Sequence, residues 1–172
     1  APIIDVRWIM YKNFLNEHGK DYRQVFLTDT RDVIFQGDVF EKYADVQNFF
    51  GCVIEGNVIN NSQNKATYVW IASLFGKEEA DKLADEKIIC SGTVLGTVEE
   101  IKIFCKKMSE VLKGTKIQGD DQGAMNYLVY EKLLEIENII EIDCHTGNIF
   151  TSYLFHENHP VEVKNGMILR GD

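Results

Sequence analysis

Two aspartates, Asp29 and Asp32, stand three residues apart directly after the apolar run Val25-Phe26-Leu27. Carboxylates are costly to bury alone, so a strand that ends in them usually aims them at something. If the chain turns between the two, both can converge on one cation, and oxygen ligands of this kind suit Mg2+ or Mn2+. A metal held by few protein groups keeps coordination positions free for the phosphates of a substrate. The same residues also admit a plainer reading, in which Asp29 caps a turn and Asp32 pairs with Arg31.

Three further groups could join such a site. Asp120, Asp121 and Gln122 sit where a loop enters a helix. Acids there complement the helix dipole, or they bind sugar hydroxyls and carry acid/base work. Ser91-Gly92-Thr93 is expected at the end of a strand, where small residues let backbone and hydroxyls approach a ligand; an ordinary strand-to-loop turn has the same composition. Glu55 closes the run Gly51-Cys52-Val53-Ile54 and is placed on what could be the same edge. Cys52, Cys90, Cys105 and Cys144 are scattered, form no C-x-x-C pair and read as buried thiols.

The bulk properties narrow the function. A chain of 172 residues is one domain by length. Its net charge is −9, with 18 basic residues against 27 acids, and nucleic-acid binding depends on neutralising phosphates with Lys and Arg. Nucleic acid is therefore not an expected partner. No apolar run is long enough to span a membrane. The start, Ala1-Pro2-Ile3-Ile4, lacks both an initiator Met and the basic opening of a signal peptide. The chain is expected to be processed or a piece of something longer. Asn60-Asn61-Ser62 is a glycosylation sequon, but such triplets arise often by chance and leave the compartment open.

The elements that must position these residues alternate. Val6, Ile9, Met10 and Phe14 have helical spacing, stopped near Gly19. Val25–Thr28 reads as a buried strand, a second helix is expected over Val39–Phe50, a short strand over 51–56 and a short helix over 76–84. Helix 97–113 is the clearest: Thr97 and Glu100 fit a capping box, and Ile101, Phe104, Cys105, Met108, Val111 and Leu112 repeat on one face. Another helix is expected over 122–135, with strands over 138–143 and 149–155. Asn165-Gly166 between Val161/Val163 and Met167/Leu169 signals a hairpin. Strands alternating with helices predict an α/β fold, a mixed and mostly parallel sheet flanked by helices.

The order of these pieces resembles the GT-A type of nucleotide-sugar glycosyltransferase. The run Thr28-Asp29-Thr30-Arg31-Asp32-Val33-Ile34-Phe35-Gln36 is similar to a "TDxRDVxFQ" version of the metal-binding DxD motif. The pattern is also similar to that of glycogenin-like enzymes and of the glycosyltransferase domain of lysyl hydroxylases. The likeness covers residues 20–130 well and the rest loosely. It implies that Asp29 and Asp32 hold Mn2+ or Mg2+ on the diphosphate of a nucleotide sugar, with UDP the expected nucleotide. Ser91, Gly92 and Thr93 would line the donor sugar, with Asp120 also on the substrate side. Asp121 and Gln122 would face the reacting centre. Arg31 would point at the phosphates or brace its loop, and Glu55 and Trp70 are looser candidates for the acceptor side. The acceptor is a glycan or another hydroxyl compound. Retention of anomeric configuration is favoured by analogy alone.

The likeness has gaps. Such enzymes begin with a nucleotide-binding strand–loop–helix unit, and this chain starts at the helix that follows it, so residues 1–172 are expected to be a partial catalytic domain with an uncovered sheet edge. A third metal ligand, a histidine, is expected near the C-terminus; His156 has the most suitable setting, with His145 and His159 as others. Two other functions remain. A catalytically silent carbohydrate-binding or scaffold domain would share the fold. A haloacid-dehalogenase-like phosphatase would also place two acids after a strand, but "DTRDV" has the wrong spacing for its D-x-D motif.

Overall fold

The structure is a computed structural model and describes residues 3–30, 33–115, 119–144, 146–149 and 162–169. A four-stranded sheet forms its centre. Helix α1 (Ile3–His18) leads through one turn of 3-10 helix into β1 (Gln24–Thr28). Strand β2 (Phe50–Val58) is followed by α2 (Ala66–Phe75) and α3 (Lys77–Lys82), then by β3 (Lys87–Thr97) and α4 (Val98–Val111). Helix α5 (Asp120–Tyr130) and β4 (Ile139–Asp143) complete the layer, and β5 (Glu162–Lys164) with β6 (Met167–Leu169) forms a separate hairpin.

The strand order is β1-β3-β2-β4. Strand β3 is antiparallel to both of its neighbours, and only β2–β4 is a parallel pair. The sheet is mixed, as expected, but among the described residues it is not mostly parallel. A single reversed strand accounts for this: β1, β2 and β4 point the same way, and β3 runs back between β1 and β2. Three strands therefore share one carboxyl edge, where ligands of open α/β sheets gather.

Alternation along β2 divides the core between the two faces of the sheet. Phe50, Cys52 and Ile54 pack under α1, α4 and α5, against Trp8, Leu15, Ile101, Phe104, Met108, Met125 and Leu128. Phe49 and Val53 face the other way, against Tyr43, Leu95, Ile142, Cys144 and Ile149. Helix α4 buries the face that its spacing predicts. Thr97 does not cap it in the expected manner, because its hydroxyl accepts the Phe49 N–H at 3.2 Å and meets the Glu100 carboxylate. On α1 the buried face carries Trp8 and Leu15, while Ile9, Met10 and Phe14 of the expected stripe are exposed.

The helix expected over Val39–Phe50 does not form. One 3-10 turn, Glu41–Tyr43, is all that appears. Asn48 takes a left-handed φ of 48°, and the N–H and C=O of Phe49 are drawn to Thr97, so the aromatic pair Phe49-Phe50 enters the sheet. Helix α2 was not signalled, because Ala66–Phe75 is apolar nearly all round. Helix α5 starts two residues earlier than expected and ends at Tyr130. The hairpin turns at Asn165-Gly166 with φ of 54° and 77°, the left-handed pair of a type I′ turn. The strand expected over 149–155 falls almost wholly outside the described residues.

Strand β1 lies at an edge of the sheet. Beside it runs an apolar groove of about 490 Å³ lined by Met10, Phe14, Tyr22, Phe26 and Phe40 among others.

Candidate functional site

The site begins with a break in the β2–β3 ladder. Cys52 pairs with Val94, but the next residue, Val53, pairs with Cys90. Ser91, Gly92 and Thr93 have no partner in that ladder. They bulge within a continuous strand, whereas the sequence had them ending one. Bulges redirect the chain next to functional sites, and this one turns toward the end of β1. Thr28 lies opposite Thr93, and the Asp29 N–H donates to the Gly92 carbonyl at 3.1 Å.

Glycine at position 92 makes room for the first carboxylate. A Cβ added there would lie 2.5 Å from Asp29 Oδ2 and 3.2 Å from its Cγ. The Asp29 carboxylate thus rests directly on the backbone of the bulge.

The second carboxylate comes from the first turn of α5. Gly119 precedes it with φ 93°, a left-handed conformation, and the Trp70 indole packs where its Cβ would be, at 2.3 Å. That close packing against α2 sets the entry of the helix. Further in, Asn126 locks α5 to β3: its side chain accepts the Ile89 N–H at 2.8 Å and donates to the Ile89 carbonyl at 2.9 Å. Asp121 is thereby held beside the bulge, almost fully buried. Burial pushes its carboxyl above the usual carboxylate range, and this outweighs the opposing pull of Arg7.

Arg7 joins the two acids. Its Nη1 donates to Asp29 Oδ1 at 2.7 Å, and its Nη2 donates to Asp121 Oδ2. The other Asp121 oxygen accepts the Gln122 N–H at 2.9 Å. The Asp29 side chain is 51% exposed, the Arg7 side chain 19% and the Asp121 side chain 2%. One guanidinium therefore spans a rim carboxylate and an interior one.

Glu55 lies within β2, one residue past Ile54, and is buried. Its described contact is a hydrogen bond with the Cys90 thiol, and burial pushes its carboxyl up to about 7. Cys90 in turn lies 3.7 Å from the Cβ position of Gly92 and is pushed up to about 12 by burial, then by the charge of Glu55. Cys52, Cys105 and Cys144 are buried thiols, as the sequence predicts, whereas Cys90 is only partly buried.

The expected residues divide as follows. Asp29, Ser91, Gly92, Thr93 and Asp121 are brought together, with Glu55 below them through Cys90. Asp120 is fully buried in the first turn of α5. The Gln122 amide donates to the Thr67 hydroxyl at 3.2 Å, which ties it to α2. Arg31, Asp32 and His156, like His145 and His159, lie outside the described residues. Among the described residues no group of three or more His, Cys, Asp or Glu side chains could hold a metal ion, and no helix is long and apolar enough to cross a membrane.

Arg7 and Asn126 carried no signal in the sequence. Arg7 is one basic residue in an aromatic helix, and only the need of two converging acids for a counter-charge points to it. Compared with known proteins, the chain matches no family model, no curated protein and no solved structure.

Proposed function

We propose that this chain is a catalytic domain, or part of one, of a metal-dependent glycosyltransferase that moves a hexose from a nucleotide-diphosphate sugar to a hydroxyl acceptor. The GT-A resemblance supplies the reading, with UDP as the expected nucleotide. The observation that supports it best is the convergence of Asp29, the Ser91-Gly92-Thr93 bulge and Asp121, three segments far apart in sequence, at one sheet edge. Of the ligands that the resemblance names, Asp29 is the one among the described residues: its carboxylate is half exposed and is an oxygen donor of the kind Mn2+ or Mg2+ takes, and Arg7 is already paired with it.

In this reading Asp29 and Asp32 hold the ion, with His156 as a third ligand. When bound, the ion would neutralise charge on the departing diphosphate. Gly92, with no side chain, leaves room for the Asp29 carboxylate on the bulge, and Ser91 and Thr93 flank it on the donor-sugar side. Asp121 fixes Arg7, and Gln122, in the first turn of α5, is tied to Thr67 of α2. Glu55 serves the acceptor side as a carboxyl that exchanges its proton near neutral pH.

The decisive measurement is thermal stabilisation. UDP should raise the melting temperature with Mn2+ present and not without it. A phosphatase would instead respond to Mg2+ and phosphate analogues. A silent domain of the same fold would respond to neither, and that second reading has one observation in its favour: Arg7 already neutralises Asp29 and Asp121.

A further inference from the structure

We infer that Glu55 and Cys90 form a proton-operated latch beneath the bulge, one that loosens the seat of Asp29 when the acid gives up its proton. The latch stands apart from the glycosyltransferase reading and needs neither metal nor nucleotide.

The two residues sit where both strands leave regular pairing. On β2 the ladder holds as far as Ile54, which pairs with Ile89, and resumes only with Val58 opposite Lys87. Glu55 therefore begins an irregular stretch, yet it is only 6% exposed. On β3, Cys90 is the last paired residue before the Ser91-Gly92-Thr93 bulge. Its sulfur lies 3.7 Å from the Cβ position of Gly92, and Asp29 Oδ2 lies 2.5 Å from the same point. The Asp29 N–H donates to the Gly92 carbonyl at 3.1 Å. Contact thus runs from Glu55 through Cys90 and Gly92 to Asp29.

Among the described residues no basic side chain pairs with Glu55. Its partner on β3 is the Cys90 thiol, which also feels Asp29 after β1. Strand β4 brings Asp143, opposite Ile54, and Cys144; the Asp143 carboxylate accepts the Thr146 N–H at 2.9 Å. The helices bring Arg7 and Asp121, and the Arg7 guanidinium is shared between Asp29 and Asp121. A carboxylate formed at Glu55 is therefore desolvated without a counter-charge. Regularly paired strand resists its escape, because each step breaks ladder bonds. Two irregular stretches have fewer such bonds to lose, so water reaches Glu55 most readily by parting it from Cys90 and shifting the bulge.

Hydrogen exchange at the Asp29 amide reads the latch. Rates are corrected for the intrinsic pH dependence and taken where low urea leaves them unchanged, so that they report a local opening and not global unfolding. Opening returns the Glu55 carboxyl from about 7 toward 4.5. Protection in the wild type should therefore fall on the order of fiftyfold between pH 5 and pH 7.5 and level off above. Glu55→Gln has no proton to lose and should be equally protected at both. Cys90→Ala cuts the link but leaves the carboxyl, and should reduce the fall several-fold. Circular dichroism confirms folding; if Glu55→Gln does not fold, the wild type and Cys90→Ala decide. Protection at Asp29 that ignores pH in the wild type, or that is lost only through global unfolding, overturns the inference. So does a fall that survives in Glu55→Gln or is undiminished in Cys90→Ala. The UDP response that tests the glycosyltransferase reading is independent of every one of these outcomes.

Discussion

Gly92→Ala separates the cost of crowding the site from the cost of crowding the core. The new Cβ would stand 2.5 Å from Asp29 Oδ2, closer than two such atoms can sit. The obstruction is the tip of a side chain that is 51% exposed, so Asp29 rotates outward and gives up Arg7. A pair of that exposure contributes about 0.5 to 1 kcal/mol after solvent screening. For a domain of this size that lowers the melting temperature by about 1 to 4 °C. Gly96→Ala is the contrast. Its Cβ would stand 2.6 Å from the Phe49 carbonyl oxygen and 3.1 Å from Ile101 Cδ1. A backbone carbonyl beside the β2–β3 ladder cannot rotate away, so overpacking there should cost about 2 to 3 kcal/mol. Thermal melts of both variants with and without Mn2+ and UDP give the answer. Gly92→Ala should remain nearly as stable as wild type yet lose the Mn2+-dependent UDP shift, while Gly96→Ala should melt far lower and keep it. The reasoning fails if Gly92→Ala costs as much as Gly96→Ala, or if it retains the full UDP shift.

Glu55 makes stability depend on pH. Its carboxyl rises from 4.5 to about 7 on folding, so its contribution is full below the unfolded value and disappears as pH rises through 7. At 1.36 kcal/mol per pH unit the change is on the order of 3 kcal/mol. Urea unfolding at pH 5 and pH 8 should show Glu55→Gln gaining relative to wild type at the higher pH, and an identical pH dependence in both proteins would refute the assignment. Asn126→Leu leaves the buried N–H and C=O of Ile89 without their side-chain partner and should cost about 2 to 4 kcal/mol. Hydrogen exchange at the Ile89 amide should accelerate, and an unchanged rate would show that β3 does not depend on α5.

What the sequence made legible was the demand, and what it concealed was the supply. Asp29 stands out because an acid ends an apolar strand, and Asp121 because it belongs to an Asp-Asp-Gln run where a loop enters a helix. Ser91-Gly92-Thr93 stands out because small residues interrupt an apolar run. Each is a local signal. Bringing two carboxylates together also needs a cation and a space, and these can come from anywhere in the chain. The cation comes from Arg7, at the start, in a helix whose exposed apolar residues mask which face is buried. The space comes from a bulge in β3, where the register against β2 shifts beside the end of β1. The same limit explains the fold. Period and caps predicted α1, α4 and the hairpin, but the reversed direction of β3 and the loss of the Val39–Phe50 helix are decided by which strands meet. A helix pattern over Phe49-Phe50 yields when two aromatic side chains can each fill one face of a sheet, and no window along the chain contains the strand that makes this possible.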